Sequence, residues 1–130
     1  MKEPVWIREI EALAFHTQQI ALFGGSDGVR DRGMLDSALA RPKNLFAYAE
    51  RALTMADLAA AYAVGISSNH PFVDGNKRTA MEVAFVFLEF NGICIAVSEE
   101  EACLTFLRLA AGEITESELA SWFAKHTTGL

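Results

Sequence analysis

Apolar residues in this chain recur at helical spacing rather than in strict alternation. Between Val5 and Leu22 they fall at Trp6, Ile7, Ile10, Leu13, Ala14 and Ile20, close to one stripe of a helix that Gly24-Gly25 stops. A polar, glycine-rich loop runs from Gly24 to Gly33; its glycines do not follow a G-x-G-x-x-G order and read as a helix end plus a turn. Met34 to Ala40 predicts a short helix closed by Pro42, and Leu45 to Ala52 one or two further helical turns. Thr54 stands as an N-cap with Asp57 three residues on. Met55, Leu58, Ala59, Tyr62 and Ile66 then mark one face of a helix, which ends near Asn69 because a residue before proline, here His70, avoids the α region. From Asn76 to Phe90 the chain is apolar nearly all round, through Ala80, Met81, Val83, Ala84, Phe85, Val86, Phe87 and Leu88, the mark of a central buried helix. Asn91-Gly92 ends it, Ile93 to Val97 is a short extended run, Ser98 caps a helix through about Ala111, and Thr115 with Glu118 opens the last one. Phe85, Phe87, Phe106 and Trp122 are assigned to the core.

The expected fold is therefore all-α: a compact helical bundle, one domain over residues 1–130, with two central buried helices joined by a short loop. A hydrophobic fraction of 52% supplies an ample core. The net charge of −6 and a pI near 5.0 argue against direct nucleic-acid or anionic-membrane binding, leaving room only for a local basic pocket. The apolar stretch Leu58–Ile66 is too short to span a bilayer, and charged Arg8, Glu9 and Glu11 near the start leave no signal-peptide core. Cys94 and Cys103 have no metal-type spacing; the expectation is two small buried thiols in a reducing cytoplasm.

The chemistry concentrates in the loop between the two buried helices, His70-Pro71-Phe72-Val73-Asp74-Gly75-Asn76-Lys77-Arg78. Asp74-Gly75 supports a sharp turn that delivers Asn76 and Lys77 to the first turn of a helix. Backbone N–H groups there suit an oxyanion, and Lys77 and Arg78 add positive charge, the arginine with bidentate geometry. Asp74 is a hard oxygen ligand suited to Mg²⁺ bridging phosphates, and His70 is a general base near neutrality. Together they suggest transfer of a phosphate-containing group from a nucleotide to a hydroxyl. Each also has a plainer role: His70 as a helix end, Asp74 as a turn residue, Asn76 as an N-cap. A Thr79–Glu82 capping box would start the helix later and leave Lys77 and Arg78 just ahead of it. Arg30, Arg32, Arg41 and Lys43 read as a solvated face. The run is not a P-loop, because its lysine does not directly follow the glycine and no strand precedes it.

This segment resembles the Fic/Doc signature, roughly H-x-F-x-[DE]-[GA]-N-[GK]-R, at His70, Phe72, Asp74, Gly75, Asn76 and Arg78. Lys77, where most Fic enzymes carry glycine, resembles the Doc branch, the toxins of death-on-curing toxin–antitoxin modules. The Gly28–Asp31 and Leu35–Pro42 runs and the Phe90-Asn91-Gly92 helix end extend the likeness over nearly the whole chain. The resemblance implies that His70 deprotonates a target hydroxyl, Asp74 binds Mg²⁺, Gly75, Asn76, Lys77 and Arg78 cradle the phosphates of ATP, and Phe72 anchors the loop. Most Fic enzymes transfer AMP. The Doc branch transfers the γ-phosphate to a threonine of elongation factor Tu and so arrests translation. A second arginine common in AMP-transferring members is Met81 here, which fits the kinase branch better. No inhibitory [ST]-x-x-x-E-[GN] motif occurs, so the resemblance implies inhibition in trans by a small, partly disordered, Phd-like antitoxin in the cytoplasm. A catalytically silent antitoxin-binding module is the rival from another class.

Overall fold

The computed structural model describes residues 1–129. Six helices, α1 (Glu9–Phe23), α2 (Arg32–Tyr48), α3 (Met55–Asn69), α4 (Asn76–Phe90), α5 (Glu99–Ala110) and α6 (Glu116–His126), carry the fold. Two short strands, β1 (Ile93–Ile95) and β2 (Thr127–Gly129), pair antiparallel with Cys94 opposite Thr128.

α3 is the axis of the bundle. Nine of its fifteen residues are buried, most of them alanine, so α2, α4 and α6 all pack against it. Its start is the expected one: Thr54 Oγ1 accepts the Asp57 N–H while the Asp57 carboxylate accepts the Thr54 N–H. Thr115 and Glu118 cap α6 in the same reciprocal way, Ser98 caps α5 by accepting the Glu101 N–H, and α4 begins at Asn76 rather than at Thr79, which is wholly buried. Phe87 and Phe106 lie in the core. Phe85 and Trp122 are half-buried, joined edge-on to Phe106 and Phe123.

Four expectations need correction. The first helix starts at Glu9, not Val5, because tertiary bonds draw residues 5–7 out straight. Asn91 clasps both polar groups of the Val5 backbone, at 2.8 and 3.0 Å, and the Ile7 N–H donates to the Tyr62 hydroxyl at 2.9 Å. Pro42 does not close α2; the helix runs through it to Tyr48. The carbonyl that Pro42 leaves without a partner, that of Ala38, faces Gly65 of α3. The helices cross so tightly there that a Cβ on Gly65 would lie 3.1 Å from the Ala38 oxygen. Cys94 and Cys103 are exposed, not buried: Cys94 sits on a two-stranded ribbon and Cys103 on the outer face of α5. Finally, β2 had no counterpart in the sequence pattern, since a three-residue strand gives no periodicity to read.

Candidate functional site

α3 and α4 end and begin on either side of one bend, and both caps lie in the left-handed region: His70 at φ 48°, ψ 55° and Gly75 at φ 75°, ψ 19°. Glycine adopts this backbone freely. His70 is the one non-glycine residue to do so among those described, so something must hold it. Arg30 does. Its Nε donates to the His70 carbonyl at 2.7 Å and its Nη2 to the Asn69 carbonyl at 2.8 Å, closing the carboxyl end of α3. Arg30 is therefore not a free member of a solvated face. Arg32 and Arg41 are tied as well, to Glu9 and Glu116.

The loop is clamped from three sides. Phe72 is buried, and its N–H and carbonyl are both held by the Asn76 side chain at 2.9 Å. On the outer side the α1–α2 loop is laced to it. Arg30 and Asp31 donate to the Pro71 carbonyl at 2.7 and 3.1 Å, Val73 donates to the Gly28 carbonyl at 3.0 Å, and Val29 pairs with Phe72. On the inner side His16 of α1 lies flat on the Phe72 ring, 3.9 Å between centroids and 5° between planes. Its Nε2 donates to the Asp74 carbonyl at 2.8 Å. Asp74 turns its carboxylate back over the α1–α2 loop, accepting from Gly75 N–H at 2.9 Å and Ser26 N–H at 3.2 Å. Gly25 is required for that approach, since a Cβ there would stand 2.8 Å from Asp74 Oδ2.

The His70 side chain is exposed and makes no hydrogen bond among the described residues. The first intrahelical bond of α4 runs from Thr79 N–H to the Gly75 carbonyl at 3.0 Å, so the amides of Asn76, Lys77 and Arg78 stand ahead of the ladder. These three N–H groups and the positive end of the helix dipole suit an anion, and Lys77 and Arg78 belong to the same turn. The Arg78 guanidinium rests over the Phe23 ring at 4.4 Å. A cleft of about 220 Å³ continues from these two cations along Met81, Cys103, Leu104 and Leu107. Among the predicted cradle residues, Asn76 contributes its backbone only, because its amide group is committed to Phe72. No group of three His, Cys, Asp or Glu able to hold a metal occurs among the described residues. Asp74 is a one-carboxylate site with lone pairs to spare on both oxygens. It fits Mg²⁺ that brings its remaining ligands as phosphate oxygens and water.

Sequence reasoning missed His16, Gly25, Ser26 and the clasp made by Arg30. The available signal for His16 is register: it lies four residues from both Ala12 and Ile20, on the stripe that α1 buries.

An all-helical bundle that puts an imidazole and a helix N-terminus on one clamped bend agrees with the Fic/Doc signature in the sequence. The sequence model of the family described as "Fic/DOC family" matches residues 6–88. The chain is 36% identical over 110 residues, 85% of its length, to the "Protein kinase doc" of Escherichia phage P1, of which it covers 86%. It is 45% identical over 74 residues to the "Toxin Doc" of Mycolicibacterium smegmatis, 57% of each chain. The chain belongs to the Fic/Doc family and, within it, aligns with the Doc-type toxins.

Proposed function

We propose that the protein is a Doc-type toxin acting as a protein kinase: it transfers the γ-phosphate of ATP to a threonine hydroxyl of a translation factor, elongation factor Tu, in the cytoplasm. The observation that carries this reading is the likeness, over 85% of the chain, to a relative named a protein kinase. It takes in the loop between α3 and α4, where the His70 imidazole makes no hydrogen bond among the described residues and the first three amides of α4 stand ahead of its ladder.

In this reading the amides of Asn76, Lys77 and Arg78 and the two cationic side chains bind the ATP phosphates and hold the γ-phosphorus in line with the target oxygen. His70 takes the hydroxyl proton as that oxygen bonds to Pγ; the Pγ–O bond to the β-phosphate breaks, and ADP leaves. Mg²⁺, when bound at Asp74, neutralises charge on the phosphate oxygens. Met81, where many AMP-transferring members have a second arginine, supports γ-transfer over AMP transfer. A cognate Phd-like antitoxin would supply the inhibition that this chain has no motif for.

Labelled ATP tests the proposal. With elongation factor Tu present, label from the γ position is expected on the target and label from the α position is not; the reverse result makes the protein an AMP transferase. His70→Ala should lower transfer by roughly 10²–10⁴-fold. Undiminished growth arrest by that variant would leave only the silent binding module.

A further inference from the structure

We infer that His16 is a positioning residue for phosphate capture: its Nε2–H locks the Asp74–Gly75 peptide with the carbonyl turned into α1, which keeps that oxygen away from the proposed phosphate site. The inference rests on the proposed nucleotide reaction and deepens it, because α1 lies outside the signature loop.

His16 is 2% exposed, yet it spends its polar atom on the loop and not on its own helix. A carbonyl oxygen can only accept, so Nε2 carries the hydrogen of the 2.8 Å bond. The other ring nitrogen lies 3.6 Å from Asp27 Oδ1, and the ring face covers Phe72. The imidazole is thus fixed in plane and in rotation, and can point a hydrogen at one spot only.

That spot is the hinge of the site. In a trans peptide C=O and N–H point in opposite directions. With the Asp74 carbonyl held towards α1, the Gly75 N–H turns the other way, where it meets Asp74 Oδ1. Gly75 has no side chain to oppose rotation of this peptide, and at φ 75° it sits in a region open to several backbone states. A flip would swing the carbonyl oxygen to the side where the Gly75 N–H now points, set it against Asp74 Oδ1 and displace the carboxylate and the residue that opens α4, adding negative charge beside the proposed phosphate site. The Asn76 clasp on Phe72 does not prevent this, because it acts on the other side of Asp74. The peptide itself is held at its N–H end by Asp74's own carboxylate and at its carbonyl end by His16, the partner supplied from another element.

Two substitutions separate donor from ring. His16→Phe keeps a flat ring on Phe72 and removes the donor; His16→Gln keeps a donor and removes the ring. ATP with Mg²⁺ is titrated calorimetrically into the wild type and both variants, with melting temperatures alongside. His16→Phe should bind ATP roughly tenfold more weakly at a near wild-type melting temperature. His16→Gln should recover most of the affinity. In turnover KM for ATP should rise by the same factor with kcat at saturation unchanged, since a flipped loop lowers only the competent fraction. If His16→Phe does not fold, His16→Gln against His16→Leu makes the same comparison.

Wild-type affinity in the variants, or losses that follow the melting temperature with glutamine no better than the donor-free variant, overturns the role of His16 and leaves the kinase reading standing. An α-label on the target overturns the kinase reading and leaves the titration valid. A wild type that binds no ATP overturns both.

Discussion

Replacing Arg30 with alanine would test how the backbone of His70, the proposed base, is held. His70 occupies the left-handed region without being glycine and precedes a proline, a backbone state that costs about 1–2 kcal/mol for an L-residue. Arg30 offsets that cost through two charge-assisted bonds, at 2.7 and 2.8 Å, to the carbonyls of His70 and Asn69. In Arg30→Ala the backbone bond from residue 30 to the Pro71 carbonyl remains, so the loop stays attached and only the clasp is lost. His70 then relaxes towards extended backbone by about 1–2 kcal/mol, leaving roughly one molecule in 5 to 30 with the imidazole in place. Phosphotransfer should fall by that factor, and Arg30→Lys, which reaches one carbonyl at a time, should lie between. Because the side chain is exposed, the melting temperature should move by only a few degrees. Initial rates of γ-label transfer, measured with circular dichroism melts on the same samples, decide the matter. A wild-type rate in Arg30→Ala, or a loss matched by unfolding, would refute the reasoning.

Further outcomes follow from other contacts. Asp74→Asn should raise the Mg²⁺ concentration giving half-maximal transfer, read from a metal titration, with the fold retained because an amide oxygen can still accept from Ser26 or Gly75. Tyr62→Phe leaves the buried Ile7 N–H without an acceptor and should cost about 1–3 kcal/mol in urea unfolding. The Tyr62 hydroxyl is pushed up to about 12 by burial. Its neutral form is therefore favoured in the fold: that contribution is complete below pH 10 and is lost as pH climbs towards 12, so the alkaline loss of stability should be smaller in Tyr62→Phe. Gly65→Ala would ordinarily stabilise a helix by about 1 kcal/mol. Here the added Cβ meets the Ala38 backbone at 3.1 Å, so the protein should instead lose about 1–2 kcal/mol of stability by thermal melts.

The helices were legible where side chains themselves mark the boundaries. Thr54, Ser98 and Thr115 each cap where expected, and Asn69 and Asn91 lie at the ends foreseen. The two misplaced helix boundaries both involve contacts from far along the chain. Asn91 binds the Val5 backbone, 86 residues away, and α2 runs through Pro42 where Ala38 packs closely on Gly65 of α3. The site divides in the same way. Its chemical groups lie within nine consecutive residues and could be read, whereas what shapes them, His16, Gly25, Ser26 and Arg30, comes from α1 and the loop after it. Only the fold joins those segments, and no local spacing encodes it.

The outward thiol of Cys103 gives the molecule a natural point of attachment. It borders the cleft that begins at Lys77 and Arg78, whereas the other thiol lies on β1. With Cys94→Ser, an environment-sensitive fluorophore coupled to Cys103 would sit at the rim of that cleft. Its emission would test, without an acceptor protein, whether the proposed nucleotide reaches the Lys77–Arg78 end of that cleft.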